Sequence, residues 1–153
     1  MRRLQTFVIL LVALSVTGCK RREDAGPTMM PGEDCIGCHL REPRAPKFSA
    51  AGTAYVDHQG TAPAVGAEVT ITDAKGVHVR LVTNSAGNFF TTEQLFPPVS
   101  ARIALDGVVR EMKTRPPHGS CNHCHRNPPR EQSPGRISAS PADAPASPGS
   151  NTP

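Results

Sequence analysis

Two short motifs each combine two thiols with an imidazole. Residues 35–39 read CIGCH and residues 121–125 read CNHCH, so both have the pattern C-x-x-C-H. On one helical turn, side chains three positions apart lie on the same side, so both sulfurs of a motif can reach one large ligand. The adjacent histidine can then turn a ring nitrogen onto a metal held by that ligand. The two motifs account for four of the five cysteines, and the fifth is Cys19.

This pattern is the attachment motif of haem c, and its presence twice predicts two covalently bound haems. Cysteine sulfurs would form thioether bonds to the vinyl groups of each porphyrin, and each motif histidine would bind the iron. The predicted haem-binding residues are Cys35, Cys38, Cys121 and Cys124, with His39 and His125 as proximal iron ligands. These bonds would make the cofactor permanent. With two such motifs the chain resembles a c-type cytochrome, in which the haem iron is the redox centre.

Two other uses of the cysteines remain as alternatives. Four thiols could bind one zinc ion, but paired C-x-x-C motifs in zinc sites are usually separated by about 15–20 residues. Here 82 residues lie between Cys38 and Cys121. Exported proteins also form disulfides, so each C-x-x-C pair could be a redox pair. Neither alternative requires a histidine after the second cysteine of both motifs.

The distal iron ligands are left open by the sequence. His118 lies three residues before the second motif and is a candidate, whereas His58 and His78 are expected to be surface residues. His123, inside the second motif, is too close to reach its own iron but could reach the other one. The thioethers of Met29, Met30 and Met112 are further candidates, and Met112 could equally be a strand residue in the core.

The N-terminus has the order of an export signal. Two arginines are followed by an apolar run from Phe7 to Val16, which is shorter than the roughly 20 residues of a spanning helix. Residues 16–19 read VTGC and resemble a bacterial lipobox, which implies a signal peptide over residues 1–18 and lipidation of Cys19. Ordinary secretion with removal of Cys19, or a retained anchor, are the alternatives. Lys20, rather than an aspartate, follows Cys19, which favours the outer membrane or the cell surface, with a periplasm-facing location as a further option.

The rest of the chain divides into a β-rich middle with short flanking segments. We expect a tether over residues 19–34, haem segments over 35–47 and 115–130, a β-domain over 48–114 and a disordered tail over 131–153. Short runs of alternating polarity within the β-domain predict strands over residues 52–57, 67–72, 77–83, 87–92, 100–105 and 108–112. Asp106-Gly107 is a two-residue hairpin signal. The fold is therefore predicted to be mainly β, a single small antiparallel β-sandwich.

A resemblance supports this scaffold. Residues 52–56 (GTAYV), 62–71 (APAVGAEVTI) and 83–89 (TNSAGNF) are similar to the carboxypeptidase regulatory-like family, which has a transthyretin-like β-sandwich. The similarity covers about 65 residues. That domain is not catalytic, so the resemblance implies a scaffold rather than a peptidase.

Composition limits the function further. Only 37% of residues are hydrophobic and 4% aromatic, which leaves little material for a sizeable catalytic pocket. The net charge of +4 is small and concentrated near the N-terminus, so nucleic acid is not an expected partner. We expect a membrane-anchored dihaem electron carrier that is not an enzyme, with redox proteins of the envelope and the bilayer as partners and no metabolite substrate. A haem-based redox sensor, a surface-binding β-sandwich lipoprotein and a small dihaem peroxidase or reductase are the alternatives.

Overall fold

The computed structural model describes residues 25–140, and these residues form mainly β structure. Two short helices accompany eight strands. The helices are α1 (Cys35–Arg41) and α2 (Cys121–Cys124), and the strands are β1 (Ala50–Tyr55), β2 (Glu68–Thr72), β3 (His78–Val82), β4 (Asn88–Thr91), β5 (Ser100–Leu105), β6 (Val108–Glu111), β7 (Gly119–Ser120) and β8 (Ile137–Ser138). The mainly β class predicted from the sequence is confirmed.

The strands form two four-stranded sheets. The second sheet has the order β3-β2-β5-β6 and is antiparallel throughout. In the first sheet β1 pairs antiparallel with β4 but parallel with β7 and β8. The strand pairings within the predicted β-domain, residues 48–114, are antiparallel, and the two parallel pairings involve chain beyond it. That chain returns alongside β1 in two-residue strands, which are too short to show an alternating pattern.

All six predicted strands are present, with ends that differ by two residues or fewer. Alternation places Val79 in the interior and leaves His78 and Arg80 exposed, as period-2 patterning predicts. Asp106 and Gly107 have φ values of 49° and 79°, so both take the left-handed backbone that the tight hairpin between β5 and β6 requires. The local pattern therefore determines the middle of the chain well.

The hydrophobic core contains residues from both sheets. Ala50, Ala54 and Phe89 of the first sheet form one buried cluster with residues of the second sheet, among them Val69 and Ile71. Every residue of β1 is buried, although a strand with one solvated face would alternate. Helix α2 packs on β1 and α1 also contacts it, so the outer face of β1 is covered by the motif segments.

The flanking segments are part of the fold to a greater extent than the sequence predicts. Within the predicted tether, the backbone N–H of Gly32 donates to Oγ1 of Thr53 on β1 over 2.9 Å. The predicted tail is ordered over residues 131–140, where β8 pairs with β1 and the N–H of Ala139 donates to the carbonyl of Tyr55 over 2.8 Å. Residues 137–139 of the predicted tail therefore complete the sheet edge beside β1 through backbone pairing, which their polar composition did not indicate.

No helix within residues 25–140 has the length and apolar character needed to cross a membrane. The predicted signal peptide, Cys19 and the last part of the predicted tail lie outside the described residues.

Candidate functional site

Helix α1 presents the first motif at its N-terminal end. The carboxylate of Asp34 caps the helix by accepting from the backbone N–H of Gly37 over 3.0 Å, so the helix begins directly at Cys35. Cys35 and Cys38 are then separated by one helical turn and lie on the same side. His39 follows on the next position of the same helix. A local capping signal therefore fixes the relative placement of the three predicted haem-binding residues.

The imidazole of His39 is oriented by a backbone carbonyl. Its Nδ1 lies 2.9 Å from the carbonyl oxygen of Pro46. A carbonyl oxygen can only accept, so Nδ1 carries the proton and Nε2 keeps a free lone pair. The ring packs on Phe48, with centroids 4.5 Å apart, and Phe48 stacks on Phe90 at 4.9 Å. Hydrogen bonding of one nitrogen while the other stays free is the usual arrangement of a metal-binding histidine.

A broad cleft opens beside this helix. It encloses about 1230 Å³, which is more than the roughly 300–1,000 Å³ of most small-molecule sites. Cys35, Cys38 and His39 line it. Its other described walls are mainly apolar and include Met29, Ala45, Pro46, Phe48 and Phe90, with the side chain of Arg44 also present. The cleft thus has the size and the apolar walls that a large planar cofactor needs, and its charged lining residues are Arg44, Glu42 and Glu93.

The second motif forms a single turn of helix directly after β7. Its first cysteine packs against β1 at Gly52, where an added Cβ would lie 2.8 Å from Cβ of Cys121 and 2.6 Å from Cζ of Phe89. A glycine is therefore required at position 52 for this close approach. Cys121 is half-buried and contacts the hydrophobic core. Burial, together with the neighbouring Cys35 and Cys124, raises the pKa of the Cys121 thiol to about 12.

The imidazole of His125 is held in the same way as that of His39. Its Nδ1 lies 3.0 Å from the carbonyl oxygen of Gly135, so the proton is again on Nδ1 and Nε2 is free. Burial lowers the pKa of His125, which favours the neutral ring that binds metals. His58 also lowers this pKa and makes a parallel contact, because its own Nδ1 lies 2.8 Å from the carbonyl oxygen of Arg136. The prediction of His58 as an ordinary surface residue therefore overlooked its contact with the segment that orients His125.

Both motifs lie against the same strand and contact each other. The hydroxyl of Ser120, which precedes α2, donates to Oδ1 of Asp34 over 2.5 Å. The amide of Asn122 donates to the carbonyl of Glu33 over 2.8 Å and accepts from the backbone N–H of Thr53 over 3.0 Å. Asn122 is only 2% exposed. Residues more than 80 positions apart in the sequence are therefore joined directly. Asn122, which occupies one of the two variable positions of C-x-x-C-H, makes this link.

The thiols of the two motifs are not in equivalent states. Cys35, Cys121 and Cys124 are free, whereas Cys38 is disulfide-bonded. Burial raises the pKa of Cys35. Burial and a hydrogen bond to the carboxylate of Glu131, at 3.3 Å, raise the pKa of Cys124 to about 11. Redox-active C-x-x-C thiols usually have lowered pKa values, so the three free thiols differ from that class.

The candidate distal ligands lie in different places. The ring centroid of His118 is 5.6 Å from that of His123, and its Nδ1 is buried with no hydrogen-bond partner among the described residues. The backbone N–H of Met112 donates to the carbonyl of Ala101, so Met112 extends the β5–β6 edge of the second sheet. Met29 lines the cleft of the first motif. His118 thus belongs to the second motif, and Met29 belongs to the first.

Within the described part of the chain, no three His, Cys, Asp or Glu side chains are grouped so that they could hold a metal ion by themselves. Comparison with known proteins gave no matching family model, curated protein or solved structure.

Proposed function

We propose that the protein is a membrane-tethered dihaem c-type cytochrome that transfers electrons in the cell envelope or at the cell surface. One observation carries the proposal. In both C-x-x-C-H motifs the histidine donates its Nδ1–H to a backbone carbonyl and keeps Nε2 free. Two histidines prepared in the same way, each one residue after a pair of cysteines, match the needs of two iron ligands.

The residues of the first motif suit a haem. Cys35 and Cys38 lie one helical turn apart at the wall of the large apolar cleft, next to His39. Each thioether bond would require that a cysteine S–H add across a vinyl group, with the hydrogen going to carbon, so no oxidant would be consumed. Since Cys38 is disulfide-bonded, two external thiols would first have to be oxidised to a disulfide, which supplies the two electrons and two protons that release Cys38 and its partner as thiols. Arg44 supplies a positive charge for a propionate.

The residues of the second motif suit a more enclosed site. Cys121 is half-buried against Gly52, and the neutral form of His125 is favoured by its lowered pKa. The raised pKa values keep the free thiols protonated at neutral pH. A protonated thiol adds to a vinyl group less readily than a thiolate does, but it is also less easily oxidised. Haem attachment would therefore depend on enzymatic assistance or on binding before this segment folds.

A bound haem would supply one-electron chemistry, through the ferric and ferrous states of its iron. The protein would bind and orient the group, exclude water from it with Phe48 and Phe90, and fix the proximal ligand. The hydrogen bonds that link Asp34 to Ser120 and Asn122 to Glu33 support electron exchange between the two sites, because they bring the segments of both motifs together beside β1. In this proposal the two sheets are a β-sandwich of the carboxypeptidase regulatory-like kind that serves as the scaffold.

The proposed anchor would hold the first site near the membrane. Ala25 lines the cleft and lies six residues after Cys19. Six residues span at most about 20 Å when extended, so acylation of Cys19 would keep the cleft close to the bilayer surface. Redox partners that are themselves embedded in or attached to the membrane are therefore the expected donors or acceptors.

Haem content tests the proposal directly. The mature protein should stain for haem on a denaturing gel, and its intact mass should contain two haem additions and acyl chains on Cys19. A variant with Cys35→Ala and Cys38→Ala should lose one haem addition and keep the other, and the matched Cys121→Ala, Cys124→Ala variant should do the same. An intact mass without any haem addition rejects the proposal. Stoichiometric zinc in the haem-free protein would identify the zinc alternative.

A further inference from the structure

The cleft at the first motif contains a second group that can bind iron. Apart from the motif itself, the described residues that line the cleft carry apolar, amide, hydroxyl, carboxylate and guanidinium groups, and one thioether, that of Met29. Among these groups, thioether sulfur is the usual partner of histidine in the axial coordination of haem c. The walls that the structure describes therefore offer the thioether of Met29 as an iron ligand in addition to His39.

The backbone around Met29 is held in place by two asparagines. The amide of Asn88 donates to the carbonyl of Met29 over 3.0 Å and to that of Pro27 over 3.2 Å. The amide of Asn84 donates to the same carbonyl of Pro27 over 2.6 Å. Both asparagines belong to the turn and the start of β4, on which Phe90 also lies. The loop is thus fixed to the sheet that forms the cleft wall.

Exposure distinguishes Met29 from its neighbours. Residues 25–28 and Met30 are exposed, and Met30 is 45% exposed, whereas Met29 is half-buried. A long apolar side chain on a polar surface loop has no core to enter here, and Met29 instead lines the cleft. Its adjacent methionine therefore provides a matched control with the same chemistry in a different place.

We infer that Met29 is the distal ligand of the iron at the first motif, because its side chain lines the same cleft as His39. This inference rests on the proposed function and extends it by assigning histidine–methionine coordination to one of the two haems. Such coordination raises the reduction potential relative to two histidines. The first haem is then the electron acceptor of the pair if the second has two histidine ligands. Met112 is not among the described residues that line this cleft and lies on the edge of the second sheet, so it is not assigned this role.

Substitution of the methionines tests the assignment in the full-length, haem-loaded protein. Intact mass first establishes the number of haems in each variant. Met29→Leu should abolish the far-red sulfur-to-iron charge-transfer band of the ferric protein. The ferrous variant should also bind one more carbon monoxide per molecule than the wild type. Met30→Leu and Met112→Leu should keep the wild-type band and the wild-type carbon monoxide count.

Met29→His provides the complementary result. It should return the carbon monoxide count to that of the wild type without restoring the band, and it should lower the midpoint potential of one haem only. The assignment is overturned if Met29→Leu carries two haems and still has the wild-type band and carbon monoxide count. If the first motif of the wild type carries no haem, both this assignment and the proposed function are overturned. The intact mass distinguishes that outcome from failure of the Met29 assignment alone, in which both haems are present.

Discussion

The contribution of Asn122 to the contact between the two motifs can be measured as a change in the free energy of unfolding. Its amide makes three hydrogen bonds, to the N–H of Thr53, to Oγ1 of Thr53 at 3.1 Å and to the carbonyl of Glu33. Substitution by alanine removes all three. The N–H of Thr53 is then left buried without an acceptor, since Thr53 is fully buried, whereas the carbonyl of exposed Glu33 can be hydrated.

The expected loss of stability follows from the burial of the groups that lose a hydrogen-bond partner. A buried unsatisfied amide costs about 1–3 kcal/mol, and the loss of the two remaining hydrogen bonds adds about 1 kcal/mol. Asn122→Ala should therefore lower the free energy of unfolding by about 2–4 kcal/mol. With a urea dependence of about 2 kcal/mol/M, the unfolding midpoint should fall by about 1–2 M.

Urea unfolding followed by circular dichroism measures this change. Gln94→Ala is the matched control, because Gln94 is an exposed amide on the loop after β4 and its loss should cost less than about 0.5 kcal/mol. Haem content by intact mass must be equal in the compared proteins. If Asn122→Ala unfolds at the same urea concentration as Gln94→Ala, the Asn122 amide does not stabilise the contact between the two motifs, and the prediction is wrong.

Three further predictions concern the same region. Gly52→Ala should destabilise the protein by about 1–3 kcal/mol in urea unfolding, because its Cβ would collide with Cys121, and an unchanged midpoint would contradict that packing. If the protein carries the proposed haems, His58→Ala should loosen the segment that orients His125 and increase carbon monoxide binding at one of them, whereas His78→Ala, on the solvent-exposed face of β3, should not. Burial of Asp34 raises its pKa, but hydrogen bonds from Ser120 and the N–H of Gly37, with His123, outweigh this and lower it overall. The wild type should therefore lose stability relative to Asp34→Asn as the pH falls below about 4, and parallel acid-unfolding curves would argue against this.

Sequence patterns predicted the local features of this protein. The alternating runs between residues 50 and 111 gave the six main strands, because alternation reflects a backbone period that needs no distant partner. Asp106-Gly107 gave its hairpin for the same reason. The strands β7 and β8 were missed because each has only two residues, so their pairing with β1 comes from distant backbone rather than from any local pattern.

The features of the candidate site likewise fall into those that the sequence indicates and those that only the structure shows. The types and spacing of Cys35, Cys38 and His39 indicate their chemistry without a structure, since one helical turn fixes their relation. The carbonyl partners of the histidines, the walls of the cleft and the link made by Asn122 had no sequence signal, and the sequence left Met29 as one of several candidate ligands. Methionine and asparagine occur in many surroundings, and only their neighbours in space give them a function.

The sequence by itself determined that two C-x-x-C-H units flank a β-rich middle. It left open whether those units lie together, because the ends of a β-domain can emerge at either side. The tertiary structure decided this by pairing β7 parallel to β1, which brings Ser120 within 2.5 Å of Asp34. The physical reason is that strand pairing joins backbone groups regardless of their separation along the chain, so the proximity of the motifs is a property of the sheet.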